Sequence, residues 1–263
     1  MTDRNITRSC KAVQPSKRKQ SVFVGDEFTI KQGCKAKVIE YKNKDNVLIE
    51  FQDKHKCRMY VSAHHLRTGS VKNPYHPNTC GVGYIGVGSF TASVNRKHTP
   101  EYSAWTNMMK RCYSDKYQRR NPTYIGCTVC DEWHNFQNFA EWYTKQKNYN
   151  TGCDLDKDLL VKNNKIYSPQ TCSLVPKAIN YLLLKKTSNT NNLPCGVHLC
   201  ENGSFKATMN QRGISKHIGV FKNTIDASTA YQKEKKNYIK EIALEWKDRI
   251  DERLFNTLMQ RAM

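Results

Sequence analysis

The sequence predicts an α+β protein with several domains. The expected order is a small N-terminal β-barrel, a helical middle region with a strand–strand–helix unit, and a C-terminal three-stranded antiparallel sheet with one helix. Three observations predict this class. Strand-like segments alternate with turn residues after residue 21, apolar residues recur at helical spacing within 100–145, and strand-like alternation returns near residue 196 before a long helical segment.

The chain is strongly basic. It has 43 Lys and Arg against 23 Asp and Glu, a formal net charge of +20, with 38% apolar residues and 14 tyrosines. This balance is typical of a folded protein whose partner is a polyanion, and double-stranded DNA is the first candidate. The alternative is a basic protein that is merely soluble. With no run of about 18 apolar residues and no apolar N-terminal segment, we expect no membrane span, no signal peptide and a cytoplasmic location.

The eleven cysteines are scattered and odd in number, which indicates reduced thiols rather than a disulfide framework. Cys127 and Cys130 have the inner spacing of a zinc knuckle. A second pair with that spacing is missing, because Cys195 and Cys200 lie further apart. We therefore expect no zinc.

Residues 1–21 are predicted to be a disordered basic arm that can lie along phosphates, although a solvated tail without a role is equally open. Residues 22–76 predict a small barrel similar to Tudor or KOW modules, because strand-like segments recur between Gly, Asn and Asp residues. These segments are SVFVGDEFTI, CKAKVIEY, NVLIEF and CRMYV. Many such barrels only mediate contacts, so the barrel is one place where a protein partner is expected.

Residues 77–187 form the predicted middle domain. It begins with a literal GxGxxG pattern at 81–86, but the segment that follows is strand-like, so we interpret the pattern as a glycine-rich hinge rather than a nucleotide site. Thr99 as N-cap and Pro100 at the first position then predict a helix. A second helix is expected after Asp131. The aromatic stripes of both helices are assigned to core packing.

Residues 154–180 have the order strand, turn, strand, helix. The segment LDKDLLV is strand-like, KNNK is a tight turn, IYSPQTCSLV returns, and Pro176 begins a helix. This order is typical of a small unit that holds a site between two strands and a helix.

The passage from Tyr102 to Asn180 resembles the HNH-like proteins that bacteriophages carry, many of which are called homing endonucleases. The residues that carry the resemblance follow the patterns W..MM.RCY, VC.EW..F..F..W, LDKD and YSP.TC..VP..IN. The resemblance implies a ββα-metal unit with an Asp-His pair on the first strand, a loop asparagine, and a His or Asn on the helix. It also implies a divalent cation at the scissile phosphate and a histidine that takes a proton from water.

Laid on this sequence, the pattern implies Asp156 as a metal ligand and Asn180 as the ligand from the helix. Lys157 stands where the pattern has histidine, and Thr171 or Cys172 stands where it has asparagine. A solvated lysine with a pKa of about 10 is protonated, so it can bind phosphate but cannot accept a proton.

Asp158 is an alternative general base, with Asp154 and Asp156 holding Mg²⁺ through oxygens, which suit that ion. The candidate catalytic residues are therefore Asp156, Lys157, Asp158 and Asn180. The candidate metal ligands are Asp154, Asp156, Asp158 and Asn180. Two alternatives stay open: a scaffold that binds DNA without cutting it, and aspartates that only cap a solvated turn.

Residues 188–246 are the predicted C-terminal DNA-binding domain. A polar linker leads into three short strands and then a helix, and apolar side chains alternate with polar ones along the strands. One face of the sheet is therefore apolar, and the other is polar and basic. The apolar stripe of the helix, which includes Ala227 and Tyr231, is expected to cover the apolar face.

Residues 193–246 resemble the APETALA2 (ethylene-response-factor) DNA-binding domain. The matching residues are GV at 196–197, GSFKA at 203–207, HIGVF at 217–221, and AY at 230–231. The resemblance implies a sheet that lies in the major groove with alternate side chains on base edges and phosphates. The implied DNA-binding residues are His198, Lys206, Thr208, Asn210, Arg212, Lys216 and His217. A sheet that merely packs on a neighbouring domain is the alternative.

Residues 247–263 predict a C-terminal helix with one apolar stripe, formed by Ile250, Leu254, Leu258 and Met259. This helix either packs on the preceding domain or forms a dimerisation surface. It is the second place where a protein partner is expected.

Together, the two resemblances imply a phage-type protein that binds double-stranded DNA in the host bacterial cytoplasm, associated with the nucleoid. Two further functions compete with simple DNA binding. One is an active Mg²⁺-dependent HNH-like endonuclease of the homing type. The other is a non-cutting regulator, or an antagonist of a host system, built on a nuclease scaffold.

Overall fold

The computed structural model describes residues 21–149, 152–183 and 193–263. The chain divides into two compact units, Met1–Asn73 and Pro74–Met263. Nearly all of the predicted basic arm, residues 1–20, and most of the polar linker, residues 184–192, lie outside the described residues.

The first unit is an open antiparallel sheet followed by a short helix. Its strands pair in chain order, and their bounds are β1 (Glu27–Thr29), β2 (Lys35–Asn43), β3 (Asn46–Phe51) and β4 (Arg58–Val61), with helix α1 at Ala63–Arg67. Alternate residues of β2 and β3 are buried, because successive side chains of a strand point to opposite faces.

The predicted N-terminal barrel is not supported. In the described part of this unit the sheet order is β1-β2-β3-β4, so β1 and β4 are its two edges and the sheet does not close. Leu66 of α1, 1% exposed, packs in the same core as Val47 and Ile49 of β3. Because a helix covers the apolar face, the sheet can bury it without closing on itself.

The second unit begins with a hairpin and a group of helices. Their bounds are β5 (Ser93–Val94), β6 (Lys97–His98), α2 (Pro100–Tyr113), α3 (Asp115–Arg120), β7 (Thr128–Val129) and α4 (Phe136–Thr144), with 3₁₀ turns at Pro122–Tyr124 and Asp131–His134. The predicted start of α2 is confirmed, since the Thr99 hydroxyl accepts the Tyr102 amide and Pro100 is the first helical residue.

Aromatic and sulfur side chains of α2 and α4 form one core, as the helical spacing predicts. Trp105, Met109, Phe136 and Phe139 are each 0% exposed. The glycine-rich segment lies against this core, because a Cβ at Gly83 would come within 2.8 Å of the Trp105 ring. Close packing is therefore one reason for glycine in that segment.

The strand–strand–helix unit follows. Its elements are β8 (Asp154–Asp156), β9 (Ile166–Tyr167), β10 (Ser173–Val175) and α5 (Lys177–Leu183). Strand β8 pairs antiparallel with β10, while β9 pairs parallel with β7. The strand predicted across 155–161 ends early, because Asp156 Oδ1 accepts the amides of Asp158 and Leu159 and turns the chain.

The C-terminal region has the predicted three-stranded antiparallel sheet and covering helix. The elements are β11 (Val197–Leu199), β12 (Phe205–Gln211), β13 (Ile214–Phe221), α6 (Thr224–Trp246) and α7 (Glu252–Ala262). Ala207 and Met209 of β12 are buried on the face that α6 covers.

Helix α7 packs on α6 and on the strand–strand–helix unit. Leu254 and Leu258 are 0% and 1% exposed, in a core that also contains Val175 and Ile179. Of the two arrangements expected for the C-terminal helix, the structure has the packed one. Among the described residues, no helix combines the length and the apolar character that a membrane span needs.

Candidate nucleic-acid interface

The C-terminal sheet has one face that α6 does not cover. Cross-strand pairs on that side form three rows, which are His198–Lys206–Val220, Thr208–His217 and Asn210–Ser215. Thr208 is half-buried and the other six residues are exposed. We call these seven residues the open face.

A β-bulge brings both ends of β13 onto the open face. The pairing shifts between Ala207, which faces Gly219, and Thr208, which faces His217, so Ile218 is the extra residue. His217 and Val220 are three positions apart, and in a regular strand residues at that spacing point to opposite faces. Because the bulge adds one residue to β13, the side chains of His217 and Val220 lie on the same side of the sheet.

The side chains of the open face are partly fixed by each other. His198 Nε2 and Thr208 Oγ1 lie 3.1 Å apart, which links β11 to β12. Asn210 Oδ1 accepts the Gly213 amide at 2.9 Å, so the oxygen of this side chain holds the β12–β13 turn. Lys206 has no carboxylate partner among the described residues.

Two predicted DNA-binding residues lie against α6 instead. Arg212 donates to Glu241 at 3.1 Å and to Glu245 at 2.6 Å, and the charge of Glu245 is the main cause that raises the pKa of Arg212. Lys216 donates to Glu234 at 2.7 Å, and this hydrogen bond lowers the pKa of the Glu234 carboxyl.

Five of the seven predicted DNA-binding residues therefore lie on the open face: His198, Lys206, Thr208, Asn210 and His217. The residues predicted from the sequence did not include Ser215 or Val220. Ser215 lies two residues before His217 and shares its face by ordinary alternation, whereas Val220 belongs to the face because of the bulge, which a strict period of two does not predict. The sequence gives one signal of the bulge: His217 and Val220 are an odd number of positions apart, with Gly219 between them.

The predicted metal ligands lie on β8, on the turn after it and on α5. Asp154 Oδ2 accepts a hydrogen bond from Asn180 Nδ2 at 3.0 Å. Asp156 Oδ1 accepts the amides of Asp158 at 2.8 Å and Leu159 at 2.7 Å. Asp154 and Asp156 are alternate residues of one strand, so they share a face.

Lys157 points to the opposite side and is 5% exposed. Its ammonium pairs with Asp158 Oδ1 at 2.5 Å, donates to the Asn164 carbonyl at 2.9 Å, and lies 5.9 Å from the centre of the Tyr167 ring. A buried ammonium with these partners holds the turn after β8.

Each of the four candidate ligands has a partner within the protein, and two of them, Asp154 and Asn180, are each other's partners. Within the described ranges, no group of three or more His, Cys, Asp or Glu side chains is arranged to hold a metal ion. Cys127, one of the two cysteines with knuckle spacing, is 2% exposed and belongs to the aromatic core.

Comparisons of the chain with protein-family models, with curated proteins and with solved structures found no match. What the chain does must therefore be argued from its own charge and geometry. The open face and the strand–strand–helix unit are the two places where a site was expected.

Proposed function

We propose that this chain binds double-stranded DNA by placing the open face of its C-terminal sheet in the major groove. The observation that carries the proposal is an uncovered, polar sheet face on a chain with a formal net charge of +20. An uncovered polar sheet face alone is common in proteins and does not indicate a partner. Together with this charge, it favours a polyanion as the partner.

The dimensions of the sheet agree with the groove. Neighbouring strands lie about 4.8 Å apart, so the three strands are narrower than a major groove about 12 Å wide. Alternate residues along a strand are about 6.6 Å apart, close to two base-pair steps of about 3.4 Å. Successive rows of the open face can thus face every second base pair.

The side chains have the chemistry that each contact needs. Lys206, which has no carboxylate partner in the described part of the chain, can offer its ammonium to a phosphate or a purine acceptor, and His198 and His217 can donate to acceptors on base edges. The hydroxyl groups of Thr208 and Ser215 can either donate a hydrogen bond to a base edge or accept one from it. Arg212 and Lys216 support the sheet through α6, since their charges are already paired with glutamates.

The test is the salt dependence of binding to a labelled duplex. We expect affinity to fall with salt, and Lys206→Ala to reduce the slope of log affinity against log salt by about 0.9, the contribution of one phosphate contact. Lys216→Ala is the matched control, because that lysine lies on the covered side. Equal slopes for Lys206→Ala and the parent chain would contradict the role of Lys206, and no duplex binding at low salt would end the proposal.

DNA cleavage is the second candidate. One observation favours it: the Asp154–Asn180 hydrogen bond joins the strand and the helix that the HNH resemblance assigns to the metal site. Against it stand Asp156, held by two backbone amides, and Lys157, whose side chain is held by Asp158. Cleavage would require these contacts to rearrange.

A further inference from the structure

The open face carries one hydrophobic side chain. Val220 is 55% exposed and lies beside Lys206, in the same row as His198. The bulge at Ile218 places it there rather than in the core under α6. A face that otherwise offers polar groups therefore has an apolar contact point at the end of one row.

The floor of the major groove offers few partners for such a side chain. Base edges present hydrogen-bond donors and acceptors, and among the four bases only thymine adds a methyl group, at C5. If Val220 met polar base atoms instead, those atoms would lose water without gaining a hydrogen bond. A thymine methyl is the groove element that fits it.

The same face has no arginine, one of the two side chains that usually read guanine. Arginine recognises guanine through two parallel hydrogen bonds, but no arginine lies in the three rows of the open face. Arg212, the nearest in sequence, is held between Glu241 and Glu245 on α6. Lys206 can still donate to the guanine acceptors O6 and N7, so the open face does not exclude G·C pairs, but it offers them no contact from arginine.

We infer that Val220 reads the C5 methyl group of thymine, so that the open face prefers duplexes with thymine in the major groove. This inference rests on the proposed DNA binding and names the substrate class of the same surface. Thr208 carries a methyl group in the neighbouring row of the open face, where the next thymine contact would lie.

The test compares duplexes of one sequence that differ only in the methyl group. The full chain is titrated against a thymine duplex and against its counterpart with deoxyuridine. We expect binding to the deoxyuridine duplex to be about fourfold weaker for each contacted methyl, which corresponds to about 0.8 kcal/mol. A G·C duplex with 5-methylcytosine should bind tighter than its cytosine counterpart by a similar factor.

Val220→Ala should remove most of the difference between thymine and deoxyuridine. Val94→Ala is the matched control, because Val94 is 57% exposed on a hairpin distant in sequence, and it should keep the difference. Equal binding of the parent chain to both duplexes would overturn the inference and leave the proposed function intact, and a preference that survives Val220→Ala would overturn the role of Val220. No binding to any duplex at low salt would overturn the proposed function as well.

Discussion

Gly196 lets β11 pass directly over the helix that supports the sheet. Its φ is +77°, and a Cβ there would collide with the Tyr231 ring and lie 2.7 Å from the Thr208 carbonyl oxygen. The Gly196 carbonyl in turn accepts the Thr208 amide at 2.8 Å. Both the backbone conformation and the space require glycine, at the point where the open face begins.

We expect Gly196→Ala to lower the free energy of unfolding by about 3 kcal/mol, since left-handed backbone strain and overpacking of Tyr231 add. Gly203→Ala is the control. Gly203 has φ +78° but no atom within 4 Å of an added Cβ, so only the strain of about 1 kcal/mol remains. Urea denaturation of both variants measures the two losses, and equal losses would show that contact with Tyr231 contributes nothing.

Lys157 shows why a residue's partner is harder to predict than its position. The sequence places it beside Asp156, in the position where the HNH pattern has histidine, and β8 ends just before it. A single sequence does not show that the side chain turns inward to Asp158 and the Asn164 carbonyl. These contacts depend on the turn after β8, which Asp156 sets through its own hydrogen bonds.

Helix starts and turns were predicted well where the signal is local. Thr99 and Pro100 define the start of α2, and capping depends only on neighbours in the chain. Elements that depend on distant partners were predicted less well. The barrel was wrong because α1 covers the sheet, and Val220 was missed as a member of the open face because a bulge at Ile218 shifts the register.

Helix α7 fastens the C-terminal sheet and α6 to the strand–strand–helix unit. Arg253 donates to the carbonyls of Pro169 and Gln170 at 3.1 and 3.0 Å, and also binds Asp251 at the start of the helix. Leu258, one turn further along, is buried in the shared core. The contacts of α7 therefore combine apolar packing with hydrogen bonds to otherwise exposed carbonyls.

We expect Leu258→Ala to destabilise the second unit by about 2–5 kcal/mol, because it removes a buried side chain and leaves a cavity. Leu244→Ala is the matched control, since Leu244 is 52% exposed on α6 and its loss should cost less than about 0.5 kcal/mol. Thermal unfolding of both variants measures the two losses of stability. A melting temperature unchanged by Leu258→Ala would mean that α7 does not hold the unit together.

The second unit contains both places where the sequence predicted a site. One hydrophobic core includes Val175 and Ile179 of the strand–strand–helix unit together with Tyr231 and Ile242 of α6. DNA held on the open face would therefore have a defined position relative to Asp154. Binding and any cleavage by the same molecule must then respond together to changes on the open face.

Because of this coupling, incubating the whole chain with supercoiled plasmid and Mg²⁺ or Mn²⁺ distinguishes DNA binding from DNA cleavage. We expect the plasmid to be bound and to stay supercoiled, because Asp156 and Lys157 are committed to contacts within the protein. Metal-dependent nicking that Asp154→Asn abolishes, and that Lys206→Ala reduces in proportion to binding, would instead establish the endonuclease. Nicking that neither substitution changes would come from a contaminant, because the two substitutions remove the candidate ligand and the candidate DNA contact independently.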